Sequence, residues 1–284
     1  MIDLHVHTVN SDGEKTPKEI IDMAIEKNIE VIAITDHDTI DGIEEAIKYS
    51  EDKNIKVIPG IEISVDVEKG QLHMLGLNID YKNKKLIETL NLLKEARDSR
   101  NDKFINILNE MGFEVTLEEL KEISNGKIIS KPHFAKLFIK KGYIKEKSEM
   151  FDKYFNQEPL KNIKKELISA KDAIKLIREA NGIPVLAHPQ TLKLEKNDLI
   201  NKIKELKGYG LLGIECYHSN QTNEQMTLFR EIAEKEGLLI TKGSDYHGPI
   251  VKPDISIGTG INNNIVNEYE EYIVKALLKK TMEV

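Results

Sequence analysis

The chain of 284 residues holds one cysteine, Cys216. A single thiol closes no internal disulfide. Its setting in the apolar run Leu211-Leu212-Gly213-Ile214-Glu215-Cys216-Tyr217 reads as a small buried hydrophobe, expected in a reducing cytoplasm. No apolar run approaches the roughly eighteen residues of a membrane span, and the N-terminus lacks a secretory pattern. There is no GxxxxGK[ST] loop, no GxGxxG after a strand and no GxSxG elbow. Chemistry on nucleoside triphosphates, on dinucleotides or through a serine nucleophile therefore has no support. An excess of positive charge is also missing: 41 Lys and Arg stand against 48 Asp and Glu, and the net charge of −7 gives no general nucleic-acid footprint. Nothing in the sequence points to an obligate protein partner.

The charge is unevenly spread. Residues 82–170 carry 19 Lys and Arg against 14 Asp and Glu, so an acidic body surrounds a mildly basic segment. An acidic body can hold cations, and a basic segment can face an anionic substrate.

What the chain does have is a recurring pattern: a short β-branched run that ends in His, Asp or Glu. The first thirteen residues show it, with His5 and His7 two apart and Asp12 beyond. Side chains two apart in a strand share a face, so two imidazoles and a carboxylate make half of a metal site. Thr16-Pro17-Lys18-Glu19 reads as a capping box that opens a helix to about Lys27. Residues 30–35 form a second strand ending in Asp36-His37-Asp38, and a helix follows over 40–51. Residues 56–62 form a third strand ending in Glu62, and residues 71–79 a fourth carrying His73. Strands and helices at this spacing predict right-handed βαβ units around a parallel sheet or barrel.

The rhythm breaks at Asn83. Residues 84–111, 117–124, 133–141 and 147–155 read as helices, punctuated by Gly112, Gly126, Pro132, Gly142 and Pro159, with Lys127-Ile128-Ile129 ambiguous. This predicts a helical insertion over 83–169 within a barrel built from 1–82 and 170–284. The βα rhythm then resumes with helices over 171–180, 198–207 and 223–236. The strand 182–187 ends at His188, 211–216 leads to His218, and 238–244 ends in Asp245-Tyr246-His247.

In parallel α/β barrels, groups at the C-terminal strand ends converge in one bowl. His5, His7, Asp12, Asp36, His37, Glu62, His73, His188, His218, Asp245 and His247 would meet there. Mixed imidazole and carboxylate donors suit zinc, manganese or iron, and there are too many for one tetrahedral ion, so two or three divalent ions are expected.

DLHVHTVNSDG, ITDHDTIDG, PGIEIS, LHMLGL, AHP and GSDYHG, in that order, resemble the PHP family, named for polymerase and histidinol phosphatase. The segments SKPHFAKLFIKKGYI and ARDSR add to the likeness, which runs nearly the full length. Within the family the chain resembles stand-alone phosphoesterases acting on nucleotide 3′,5′-bisphosphates and on the 5′ end of short RNA. The resemblance implies a distorted seven-stranded (βα) barrel with three divalent ions, Mn2+ foremost and Zn2+ or Fe2+ as alternatives. It assigns His5, His7, Glu62 and Asp245 to the first ion. Glu62 would bridge to a second held by His73 and His188, and Asp12, His37 and His247 would hold the third. Asp12 stands where some branches have histidine, which predicts a weaker third ion.

The resemblance also sets His133 against the substrate phosphate. Arg97 and Arg100, three apart on one helix, either grip an anion or form a solvated face. Lys131 replaces the family's arginine before Pro132 and offers a point charge in place of a fork. Asp36 is expected to orient an imidazole, and His218 to sit near the leaving group or be structural. The expected reaction is attack of a metal-bound hydroxide on a phosphate monoester of a small nucleotide or short RNA. Histidinol-phosphate phosphatase is an alternative within the class, and a metal-binding module without turnover is one outside it.

Overall fold

In the computed structural model, residues 1–124, 128–163, 167–266 and 270–279 are described. Gly126 and Lys127 of the expected helical segment lie outside them. The chain divides into two compact units, residues 1–89 with 167–284, and residues 90–166.

The first unit is built on seven strands, β1 Ile2–Val6, β2 Val31–Ile34, β3 Lys56–Val65, β4 Leu72–Leu77, β5 Ile183–Leu186, β6 Gly213–His218 and β7 Leu239–Gly243, paired in sequence order. The end of β7 returns to β1: Asp245 N–H donates to His5 O at 2.8 Å and His7 N–H to Tyr246 O at 3.0 Å. The sheet thus nearly closes into the distorted barrel expected. Ile2, Leu4, Val31, Ala33, Ile58, Leu75, Leu77, Ile183 and Val185 pack as one buried cluster. A second cluster joins Val6, Ile32 and Ile34 to Ile20, Ile21 and Ala24 of α1 (Pro17–Glu26) and Ala46 of α2 (Ile43–Ser50). In β2, Val31 and Ala33 pack in the first cluster and Ile32 and Ile34 in the second, as a period of two requires. The Thr16 capping box is present, with the Glu19 carboxylate accepting from Thr16 N–H at 2.8 Å.

One expectation fails. β4 runs antiparallel to both β3 and β5. Only residues 66–71 join β3 to β4, too few for the crossover that a parallel pair needs. Since β4 is reversed, its N-terminal end lies with the C-terminal end of β3, and Ser64 pairs with His73.

Two register slips re-aim side chains. Pairing of β1 with β2 slips between Asp3 and Val6, and pairing of β6 with β7 between Glu215 and Tyr217. A slip changes which face a strand presents. Ile2 and Leu4 lie in the first apolar cluster, whereas Val6, two residues further on, lies in the second. Glu215 and His218, an odd number apart, can both turn to the same side.

Helices α7 (Ala170–Glu179), α8 (Lys196–Tyr209) and α9 (Asn223–Glu236) complete the βα alternation. A further helix, α10 (Glu270–Lys279), was not read from the sequence; its Ile273 and Leu277 join the cluster of Ile2 and Leu4. The division between units falls inside α3 (Lys84–Glu110). The second unit holds α4 (Leu117–Ile123), α5 (Lys131–Lys140) and α6 (Lys147–Met150) around Phe104, Phe134, Phe138 and Phe155. The helix expected over 147–155 changes to a π-helical turn at Phe151–Phe155. Ile128 and Ile129 form no strand.

Candidate metal centre

All nine expected metal positions gather in the first unit. His5 Nε2 lies 3.1 Å from His7 Nε2, 3.3 Å from Glu62 Oε2 and 3.6 Å from Asp245 Oδ1. His7 Nε2 lies 3.2 Å from Glu62 Oε2 and 3.3 Å from Asp245 Oδ1. Donors about 2.0–2.1 Å from a tetrahedral ion are separated by edges of about 3.3 Å. These atoms are spaced to surround a common point. Glu62 Oε1, on the other side of the same carboxylate, lies 2.9 Å from His73 Nδ1 and 2.8 Å from His188 Nε2. Asp12 Oδ1 is 3.2 Å from His247 Nε2 and 3.6 Å from His7 Nδ1, and Asp12 Oδ2 is 4.0 Å from His37 Nε2.

Four groups with converging donors result: His5, His7 and Asp245; His5, Glu62 and His188; His37, Glu62 and His73; and His7, Asp12, His37 and His247. His5, His7 and His37 each enter two groups, whereas the resemblance gave each to one ion. Glu62 Oε2 is buried and accepts no hydrogen bond, although three imidazole nitrogens surround it. A buried carboxylate oxygen in that position is costly unless a cation completes it. The residues therefore fit a cluster of divalent ions.

The electrostatics agree. Burial opposes ionisation of Glu62, yet His37, His5 and His73 hold its carboxyl well below the usual range. Burial likewise opposes charge on His7, but the carboxylates of Asp245 and Glu62 raise its pKa to about 9. Burial itself pushes His37 down to about 3. The centre concentrates negative charge and demands a positive one. Divalent ions meet that demand and bind imidazole in its neutral form.

Asp38, His188 and Asp245 have φ of 51°, 27° and 56°. Non-glycine residues in this region cost on the order of 1–3 kcal/mol each and persist where surroundings hold them. Asp38 N–H donates to Glu62 O at 2.9 Å, and its carboxylate accepts from Ser64 N–H at 2.8 Å.

Asp36 differs from expectation. Its carboxylate accepts from Thr8 N–H at 2.7 Å, Thr8 Oγ1 at 2.7 Å and Ser11 Oγ at 2.6 Å, and reaches an imidazole, that of His7, only through Ser11 Oγ, 3.4 Å from His7 Nδ1. Thr8 and Ser11 lie in the segment that leads to Asp12, so Asp36 fixes that loop. His218 Nδ1 accepts from Asn220 N–H at 3.1 Å, which leaves Nε2–H to donate to Asp245 Oδ2 at 3.2 Å. Lys252 Nζ pairs with the same oxygen. Together they turn Asp245 Oδ1 toward His5 and His7.

Arg97, Arg100, Lys131 and His133 all belong to the second unit. Both arginines are buried, so the solvated-face reading fails. Arg100 and Lys131 approach the Phe104 ring at 5.6 and 5.7 Å. Burial first, and then the charge of Arg100, lower the pKa of Lys131. His133 Nδ1 accepts from Ser130 N–H at 3.0 Å at the start of α5.

Glu215 was not anticipated. It is fully buried, with Oε1 2.9 Å from His5 Nδ1 and Oε2 accepting from His188 N–H at 2.7 Å. Its signal in sequence is a lone carboxylate inside the apolar run GIEC.

The family model of the PHP domain matches residues 3–246. The chain belongs to the PHP family. The matched span of the PHP domain holds eight of the nine positions, with His247 directly after it. The chain is 28% identical over 270 residues to a 5′-3′ exoribonuclease of Haemophilus influenzae, covering 95% of this chain and 98% of that protein. It is 30% identical over 249 residues to a 3′,5′-nucleoside bisphosphate phosphatase of Chromobacterium violaceum, covering 87% of each. A solved structure from Bifidobacterium adolescentis, assigned as a metal-dependent phosphoesterase, matches with a TM-score of 0.82 at 27% identity, covering 98% of this chain and 96% of that one.

Proposed function

We propose that this PHP protein is a metal-dependent phosphoesterase that hydrolyses phosphate monoesters of small nucleotides. Nucleoside 3′,5′-bisphosphates are the favoured class, and short 5′-phosphorylated RNA an extended one. The observation that carries the reading is Glu62 Oε2, buried without a hydrogen bond among three imidazole nitrogens. The named activities of the two relatives, a bisphosphate phosphatase and a 5′-3′ exoribonuclease, supply the substrate class.

His5, His7, Glu62 and Asp245 would hold one ion, Glu62, His73 and His188 a second, and Asp12, His37 and His247 a third. The mixed nitrogen and oxygen donors suit manganese, zinc or iron(II) alike, and the resemblance to the family puts manganese first. Divalent ions in such a cluster lower the pKa of bound water and neutralise phosphoryl charge. The protein's own part is to fix the donors. His218 and Lys252 orient Asp245, and Asp36 holds the loop of Asp12. The neutral ring of His218, whose proton is directed at Asp245, serves as a positioning group and not as an acid for the leaving alkoxide.

Arg97, Arg100, Lys131 and His133 would recognise a phosphate of the substrate. His133 lies in the first turn of α5, where helix N–H groups favour an anion. No helix among the described residues is long and apolar enough to cross a membrane. With Cys216 as the lone, buried cysteine, we place the protein in the cytoplasm.

The test is turnover of the metal-reconstituted protein on nucleoside monophosphates, 3′,5′-bisphosphates, a short 5′-phosphorylated RNA and histidinol phosphate, side by side. The expected order puts bisphosphates highest in kcat/KM. Preference for histidinol phosphate, or no turnover on any of them, overturns the reading.

A further inference from the structure

We infer that Glu215 is a positioning residue shared by two ligands of the metal centre, one oxygen setting the ring of His5 and the other the backbone of His188. The inference rests on the reading that the centre holds divalent ions and adds what keeps two of its ligands in step. His5 Nδ1 lies 2.9 Å from Glu215 Oε1, so in the neutral ring the proton sits on Nδ1 and the Nε2 lone pair faces Glu62, His7 and Asp245. A carboxylate behind a ligating imidazole fixes both its tautomer and its angle.

The second oxygen acts differently. Oε2 accepts from the backbone N–H of His188 at 2.7 Å, and His188 has φ 27° and ψ 66°. That backbone conformation is unfavourable for a side chain with a Cβ and needs an outside partner to persist. It carries His188 Nε2 to within 2.8 Å of Glu62 Oε1. Glu215 thus reaches both sides of the Glu62 carboxylate, through a ring on one side and a main-chain donor on the other.

Both partners of Glu215 are donors, and only a carboxylate offers two acceptors at once. In Glu215→Gln the amide NH2 must face one of them. Facing His5, it forces the other tautomer and turns an N–H toward the centre. Facing His188, it opposes donor to donor and releases the strained backbone. Either way a cluster loses a correctly aimed nitrogen.

The experiment titrates metal-free wild type, Glu215→Gln and Glu215→Asp with Mn2+ against chelators of graded strength and counts bound equivalents. Circular dichroism and thermal melts of the metal-free proteins check folding. A folded Glu215→Gln should bind at least one equivalent 10- to 100-fold more weakly. Glu215→Asp keeps two acceptors and should recover part of that loss. A folded Glu215→Gln with wild-type stoichiometry and affinity overturns the inference. If Glu215→Gln does not fold, 15N spectra of histidine rings in zinc-loaded wild type decide, with His5 assigned by its loss in His5→Gln. A His5 protonated at Nδ1 supports the inference, and one protonated at Nε2 overturns it. A wild type that binds no divalent ion at all overturns the metal reading itself, and this inference with it.

Discussion

Glu62 Oε2 and His37 Nδ1 lie 3.0 Å apart with no hydrogen bond between them. His5 and His7 approach the same oxygen at 3.3 and 3.2 Å. Three imidazole nitrogens thus gather around one buried carboxylate oxygen without bonding to it, an arrangement that a cation would complete. Glu62→Gln preserves the shape of the side chain but removes the charge that lets one carboxylate serve two cations. We expect loss of at least one equivalent of metal and a fall in kcat of at least about 100-fold, the scale of losing a preorganised electrostatic group. Elemental analysis and steady-state kinetics of that variant check both. Near-normal turnover would remove Glu62 from the centre.

The number of converging groups bears on metal count. Elemental analysis of protein purified without chelator should give more than one equivalent of manganese, zinc or iron. Chelation should abolish activity, and Mn2+ should restore it. Ions that bind only the folded state also stabilise it, by about 2.7 kcal/mol at a free concentration one hundred times Kd. The melting temperature should therefore drop by several degrees on chelation. An active protein with at most one bound ion would contradict the cluster.

The strand-end grammar made the barrel readable, because buried β-branched runs ending in His, Asp or Glu are rare by chance. It also led to all nine positions that now converge. It missed the reversal of β4, since LHMLGL reads alike in either direction and only the short 66–71 connection decides. It missed Glu215 for a different reason. Strict alternation puts Glu215 and His218 on opposite faces, and only the slip between Glu215 and Tyr217 brings both to the site. Asp36 was placed near the centre, but its adjacency to His37 did not reveal that Thr8 and Ser11 would take its oxygens. Helix α10 carries no motif, and its role in covering Ile2 and Leu4 depends on contacts distant in sequence.

His218 and Lys252 hold Asp245 Oδ2 while Oδ1 faces His5 and His7. Burial opposes charge on Asp245, but Lys252, His247 and His5 keep its carboxyl well below the usual range. His218→Asn should let Asp245 turn. We expect kcat to fall about 10- to 100-fold with KM little changed, the usual scale for a group that orients a ligand. If His218 only positions, the pH–rate profile keeps its shape at lower amplitude. Loss of one limb of that profile would instead assign His218 to proton transfer.

The last prediction concerns the second unit. Arg100 and His133 are buried there, at 8% and 7% exposure, in a segment that supplies none of the nine metal positions. Arg100→Ala and His133→Ala should each leave metal content unchanged. They should raise KM for a 3′,5′-bisphosphate far more than for p-nitrophenyl phosphate, which offers one phosphate and no second anion to recognise. A charge-assisted contact contributes about 1.5–3 kcal/mol, so kcat/KM on the bisphosphate should drop on the order of 10- to 150-fold. Circular dichroism separates this from unfolding, since His133 also caps α5 through Ser130. Variants that treat both substrates as the parent does would show that these residues do not set specificity. Loss of metal in His133→Ala would place that residue among the ligands and require the second ion's set to be redrawn.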